Sequence, residues 1–149
     1  MLQKIFKPYK SNKQNLLRIG PKSDGGYIID KRVIKKTSVI ISCGLNDDWE
    51  FEKYFLKLNP SCKIIAYDHT INKKFWKDRF KKDLISLILF KKLRFKKILD
   101  VFKYIDYKSF FNEKNIHYIK KVVLKKKNKN EISIKNILLN RKDLILKVD

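Results

Sequence analysis

Val39-Ile40-Ile41-Ser42-Cys43-Gly44-Leu45-Asn46-Asp47-Asp48-Trp49-Glu50-Phe51-Glu52-Lys53-Tyr54-Phe55-Leu56-Lys57-Leu58-Asn59-Pro60, continued by Lys63-Ile64-Ile65-Ala66-Tyr67-Asp68, is the stretch that decides the fold. The short apolar run at 39–43 is a buried strand, and Gly44 breaks it. A helix is expected over 48–58, because Phe51, Tyr54, Phe55 and Leu58 recur at i, i+3, i+4 and i+7 and make one apolar face. Asp47 is expected as its N-cap, with Glu50 three residues on completing a capping box. Asp48, Glu50 and Glu52 put negative charge in the first turn, where the helix dipole favours it. Asn59-Pro60 stops the helix, and a second strand at 63–67 ends in Asp68. Strand, glycine turn, helix, strand and acid in this order are how a βαβ unit presents an adenosine-containing cofactor.

The chemistry of the turn narrows the cofactor. An adenosine group needs a turn without a Cβ near its polar tail, which Gly44 offers. It also needs a carboxylate to accept from the ribose hydroxyls, which Asp68 offers at the carboxyl end of the neighbouring strand. A dinucleotide site shows three spaced glycines, whereas Leu45-Asn46-Asp47-Asp48 follow Gly44 and put acids where a pyrophosphate would sit. S-adenosylmethionine has no phosphate and carries a cationic sulfonium and amino group, so nearby acids suit it. A nucleotide-using enzyme of another type is thereby disfavoured, and titration with NAD would test it.

Working outward, residues 1–17 read as a short amphipathic helix or an irregular lead-in interrupted at Pro8. Gly20-Pro21 and Asp24-Gly25-Gly26 are turn signals, and Tyr27-Ile28-Ile29 resumes as a short strand. Three of the four glycines of the chain fall here. From Lys73 to Phe111 the pattern is helical and very basic, with Phe75, Trp76, Phe80, Leu84, Leu87, Ile88, Leu93, Ile98, Val101, Phe102 and Ile105 as expected core positions. A strand is expected over 119–124, a polar turn over 125–130, a helix or extended segment over 132–139, and a final strand, Leu144-Ile145-Leu146-Lys147-Val148, ending in Asp149.

The chain has 149 residues, enough for one domain, with 44% apolar residues available for a core. Its net charge is +22, which ordinarily suggests nucleic acid or an anionic surface. Only Arg18, Arg32, Arg79, Arg94 and Arg141 are arginines, however, and specific base and phosphate readers favour the arginine fork. The lysines are spread along the chain among asparagines and isoleucines, as compositional bias would place them. A lysine-rich nucleic-acid-binding protein is the alternative function, with aromatics between the basic residues of 73–111 as its stacking surface. Cys43 and Cys62 form no disulfide or metal pattern and suit a reducing compartment. His69 and His117 have no partner at ligand spacing, so no metal is expected. The longest apolar run, 84–90, is too short to span a bilayer. The N-terminus lacks a secretory h-region, making a cytoplasmic location the default.

Four motifs carry a more specific resemblance: Arg18-Ile19-Gly20 with Asp24-Gly25-Gly26-Tyr27; Ser42-Cys43-Gly44-Leu45-Asn46-Asp47-Asp48-Trp49-Glu50-Phe51-Glu52; Ala66-Tyr67-Asp68-His69-Thr70; and Leu146-Lys147-Val148-Asp149. In order and spacing the chain resembles the FkbM-type methyltransferases, which have a DGGY loop before the first strand, a G-x-x-x-D-x-x-F-E continuation, a strand ending in Y-D, and an L-K-x-D-x-E-G-x-E segment at the fourth strand. The stretch 73–139 matches only weakly. Asn46 stands where relatives often carry a second glycine, and asparagine tolerates left-handed angles.

The resemblance implies an α/β fold, the class I methyltransferase Rossmann-like doubly wound sheet, truncated after about the fourth strand. It implies an S-adenosylmethionine-dependent O-methyltransferase. Residues 1–36 would be a lead-in with a cap loop, and 37–149 the first half of the S-adenosylmethionine-binding domain. Cys43, Gly44, Leu45, Asp68 and His69 would bind the cofactor, Asp68 holding the ribose. Arg18, Asp24, Gly25, Gly26 and Tyr27 would form the cap loop, with Arg18 bracing it, and Asp149 would be the first acid facing cofactor and acceptor. The acceptor would be a sugar, a glycan or another small metabolite. Because the E-G-x-E continuation is absent, a piece that is inactive alone is expected.

Overall fold

The computed structural model describes residues 12–22, 26–88, 102–112, 114–139 and 141–149. They fall into two compact units that interleave along the chain: the described residues up to Thr37 together with Asp48–Cys62, and Ser38–Asp47 together with those from Lys63 to Asp149.

In the first unit, a 3-10 turn at Lys13–Asn15 leads into strand β1 (Leu16–Ile19), which pairs antiparallel with β2 (Tyr27–Asp30), Leu17 opposite Ile29. Asp30 then caps helix α1 (Lys31–Lys36), its side chain accepting from the Arg32 N–H. Helix α2 (Glu50–Leu58) completes the unit. Among its described residues, Ile19, Ile34, Trp49, Phe51, Phe55 and Cys62 are the buried apolar ones. The Tyr27 ring meets Phe51 edge-on, with centroids 5.1 Å apart. Buried Asn59 joins α1 to the end of α2: its amide donates to the carbonyls of Ile34 and Thr37, both at 2.8 Å.

The second unit is built on β3 (Val39–Cys43), β4 (Lys63–Tyr67), β5 (Ile116–Tyr118) and β8 (Leu144–Val148), which form one sheet in the order β5-β4-β3-β8. All three pairings are parallel, and Ile41 stands between Ile65 and Leu146. Every residue of β3 is buried, as suits a strand paired on both edges with apolar residues at four of its five positions. One face carries Val39, Ile41, Cys43, Ile65 and Tyr67, packed with Ile137 of helix α5 (Ile134–Leu138). Strands β6 (Lys121–Val123) and β7 (Glu131–Ser133) pair parallel beside it, and Val122 and Ile132 pack on the same cluster. Helices α3 (Lys73–Ile88) and α4 (Lys103–Phe110) lie between β4 and β5 in the chain.

The four parallel strands, counted in chain order, stand as third, second, first and fourth. That is the opening of the classic doubly wound order. Its reversal point lies between β3 and β8, so their carboxyl ends flank the crevice in which such sheets bind ligands. The structure is thus α/β with a parallel sheet, compatible with a Rossmann-like fold.

Several local expectations are corrected. Helix α2 starts at Glu50, and its N-cap is Trp49 with no side-chain cap bond. Asp47 is not the cap: the chain turns at Asn46 (φ +50°), and the Asp47 carboxylate pairs with Arg79 and, at 3.5 Å, with Lys103. The buried face of α2 is Phe51, Glu52 and Phe55, while Tyr54 and Leu58 are exposed, so the apolar stripe is rotated toward a buried acid. Residues 16–17 are strand, because β2 supplies a pairing partner that local pattern does not reveal. The expected strand at 119–124 splits into β5, ending at Tyr118, and β6, starting at Lys121, which belong to different sheets. Of the core positions expected between 73 and 111, Trp76 is buried, but Phe80, Leu84, Phe102 and Ile105 are exposed. Leu93, Ile98 and Val101 lie outside the described residues, and nothing is described of the Leu87 and Ile88 side chains. Among the described residues no helix is long and apolar enough to cross a membrane.

Candidate functional site

The carboxyl ends of β3, β4 and β8 converge on Gly44. Its N–H donates to the Tyr67 carbonyl at 3.0 Å, and the Asp149 N–H donates to the Cys43 carbonyl at 3.0 Å. Gly44 has φ +83°, and a Cβ there would sit 2.9 Å from the Asp149 carbonyl oxygen. A side chain is therefore excluded twice, by conformation and by the closeness of β8.

Two residues on, Asn46 directs its N–H at the Asp68 carboxylate, 2.8 Å from Oδ2. The other oxygen, Oδ1, accepts from the Thr70 N–H at 2.7 Å and from the Thr70 hydroxyl at 2.6 Å. Asp68 is buried, and its own N–H donates to the Tyr118 carbonyl of β5 at 3.1 Å. Burial acts to raise the Asp68 pKa. The bonds from Thr70 and Asn46 outweigh it, and the carboxyl ends below its ordinary value.

Behind Asp68 stands a polar chain. His117 Nε2 lies 3.1 Å from the Asp68 carbonyl oxygen, and its Nδ1 lies 2.5 Å from the Tyr107 hydroxyl. A carbonyl only accepts, so Nε2 carries the proton, and neutral Nδ1 accepts from Tyr107. Burial lowers the His117 pKa and keeps the ring in that neutral form. Burial, with smaller contributions from Tyr104 and Asp68, pushes the Tyr107 hydroxyl up to about 12, so it stays a donor across the physiological range.

Asp68 and Gly44 border a cavity of about 530 Å³, whose lining also includes His69, Thr70, Lys120 and Lys121 and the apolar Val122, Leu124, Leu146 and Val148. It falls within the range of small-molecule pockets, apolar walls with a few convergent polar groups. Cys43 also lines it, and burial raises that thiol above its ordinary value, so it is no ready nucleophile. At the β8 end, the Asp149 carboxylate pairs with the buried Lys147 ammonium at 2.8 Å. A second cavity, of about 470 Å³, opens between α3 and α4, with Trp76, Phe80 and Tyr104 among its aromatics and Lys73 and Lys77 beside them.

Of the residues expected at the site, Cys43, Gly44, Asp68, His69 and Asp149 line one cavity. Leu45 is buried and is not part of that lining. Among the cap-loop residues, Arg18 donates from its guanidinium to the carbonyls of Pro21 and Lys22, each at 3.1 Å. Gly26 lies so close to Pro21 and Arg18 that any Cβ would collide with them. Tyr27 belongs to β2, and Asp24 and Gly25 lie outside the described residues. Sequence reasoning gave no role to Thr70, His117 or Tyr107. Asp68-His69-Thr70 does carry a signal, the aspartate that bonds its own backbone two residues on, whereas nothing local marks His117 or Tyr107.

Comparison of the chain with protein-family models, with curated proteins and with solved structures gives no match.

Proposed function

We propose that this chain binds S-adenosylmethionine at the carboxyl ends of β3, β4 and β8 and belongs to an O-methyltransferase of the FkbM type. The observation that carries the reading is the joining of Asp68 to the Gly44 turn through the Asn46 N–H, at the reversal point of a parallel sheet with the doubly wound order. This sets a hydrogen-bonding carboxylate and a Cβ-free turn on the rim of one cavity of nucleoside-accommodating size. The donor set fits the group: Asp68 is ionised and faces the cavity, the walls are apolar enough for an adenine, and Asp149 supplies an acid near the turn. No phosphate-binding glycine series accompanies Gly44, which disfavours a dinucleotide.

When bound, S-adenosylmethionine would supply an electrophilic methyl group. The protein's part is positioning: Asp68 to hold the ribose, the Gly44 turn to admit the amino-acid end, and the apolar wall to exclude water. The acceptor would be a hydroxyl of a sugar, glycan or small metabolite. Calorimetric titration with S-adenosylmethionine tests the reading. Saturable binding that Asp68→Ala largely abolishes is expected, with no heat from NAD. Absence of S-adenosylmethionine binding overturns it.

A second reading, nucleic-acid binding, draws on the α3–α4 cavity, where half-exposed Phe80 and Tyr104 neighbour Lys73 and Lys77, and the Lys108 ammonium lies 5.1 Å from the Tyr104 ring centre. It predicts single-strand binding that weakens steeply with salt and is indifferent to Asp68→Ala.

A further inference from the structure

The hydrogen bonds of Asp68 leave its carboxylate nearly full. A carboxylate offers about four acceptor positions. Among the described residues the Thr70 N–H and hydroxyl take both on Oδ1, and the Asn46 N–H takes one on Oδ2. One position on Oδ2 is left for a ligand. A ribose that donates both its 2′ and 3′ hydroxyls needs two. Of the three resident donors, the two backbone N–H groups are fixed by the turns that carry them. The Thr70 hydroxyl alone sits on a rotatable bond, and Thr70 is exposed, so the hydroxyl can turn to water.

Resting on the cofactor reading above, we propose that Thr70 is an internal competitor for the ribose diol. Its hydroxyl occupies the second acceptor position of Asp68 when the site holds no nucleoside, and leaves it when both ribose hydroxyls bind. The hydroxyl thus stands in for one ribose hydroxyl: it keeps Oδ1 satisfied at the rim of the cavity and weakens nucleoside binding by the strength of the bond that must be given up. A ligand donating only one hydroxyl takes the open Oδ2 position and meets no competition. Thr70 therefore sets the preference between ribose and deoxyribose ligands.

The test is calorimetric titration of the wild-type chain, Thr70→Val and Thr70→Ser with S-adenosylhomocysteine and with its 2′-deoxy derivative. Thr70→Val, which keeps the shape and loses the hydroxyl, is expected to bind S-adenosylhomocysteine at least about tenfold more tightly, as loss of a competing bond to a charged group predicts. Its affinity for the 2′-deoxy derivative should stay as in wild type, and Thr70→Ser should match wild type for both ligands. Equal or weaker binding of S-adenosylhomocysteine by Thr70→Val, in a protein with wild-type circular dichroism, overturns the role of Thr70 and leaves the cofactor reading intact. Should the valine variant fail to fold, Thr70→Ala carries the same expectation and the same overturning result. No binding of S-adenosylhomocysteine by the wild-type chain overturns both proposals.

Discussion

The Asp68 carboxylate holds the backbone N–H of Asn46, 22 residues earlier in the chain, at 2.8 Å. That single bond ties the turn leaving β3 to the end of β4, and it does so with a charged acceptor, the stronger kind of hydrogen bond. Asp68→Ala leaves three donors without this acceptor and is expected to destabilise the protein by about 2–4 kcal/mol. Asp68→Asn, which keeps one acceptor oxygen, is expected to lose about half as much. Urea unfolding followed by circular dichroism checks both.

Two groups at the site set the acid limb of stability, and both act in the same direction. The His117 pKa is lowered by burial, so the unfolded chain takes up a proton at a higher pH than the folded one. The stability it contributes is complete above the unfolded histidine pKa, about 6.5, and is lost as pH falls through the folded value. Asp68, also lowered, contributes above the unfolded carboxylate pKa, about 3.9, and loses that stability as pH falls through its own folded value. Melting temperature against pH is expected to fall in two steps, with the step beginning near 6.5 absent in His117→Leu. A flat profile between pH 7 and 5 in the wild-type chain would contradict the placement of His117.

Tyr107→Phe removes the hydroxyl that donates to His117 Nδ1. The ring packing is kept, since the phenylalanine ring still meets Trp76 and Phe111 at the same tilted angles. A loss of about 1–2 kcal/mol is expected from the unsatisfied nitrogen, together with a shift in the His117 imidazole resonances followed by NMR.

Gly44→Ala meets both the left-handed backbone and the Asp149 carbonyl oxygen. A cost of about 2–3 kcal/mol is expected in thermal or chemical unfolding. A neutral result would mean that β8 does not lie against the turn as described.

In the other unit, Asn59→Ala removes two donated hydrogen bonds, to Ile34 and Thr37, from a buried position. The Thr37 carbonyl loses this donor and the Ile34 carbonyl keeps only the longer bond from the Thr37 N–H, at 3.3 Å, so about 2–3 kcal/mol of destabilisation is expected. Asn59→Asp is expected to be at least as costly, because a carboxylate has no hydrogen to donate there.

The sequence by itself determined what local chemistry dictates. The largely apolar run 39–43, the glycine after it, the Phe51–Phe55 spacing and the strand ending at Asp68 announce a parallel α/β unit, because each depends on the preferences of a few adjacent residues. The same locality explains the errors. Asp47 looks like a helix cap until Arg79 and Lys103 claim it, and Tyr54 and Leu58 look like core until Glu52 is buried in their stead. Leu16-Leu17 becomes strand because β2 offers hydrogen bonds, and the short β5 is a strand by virtue of its pairing with β4.

Only the tertiary structure decided which groups meet. The strand order that sets the crevice between β3 and β8, the contact of Gly44 with Asp149, and the chain Tyr107–His117–Asp68 all join residues far apart in sequence. Such contacts arise from the close packing of the sheet ends. Asp68 could be picked out in the sequence as an acid after a strand, but that Thr70 and Asn46 already fill three of its acceptor positions is decided by the folded loop geometry.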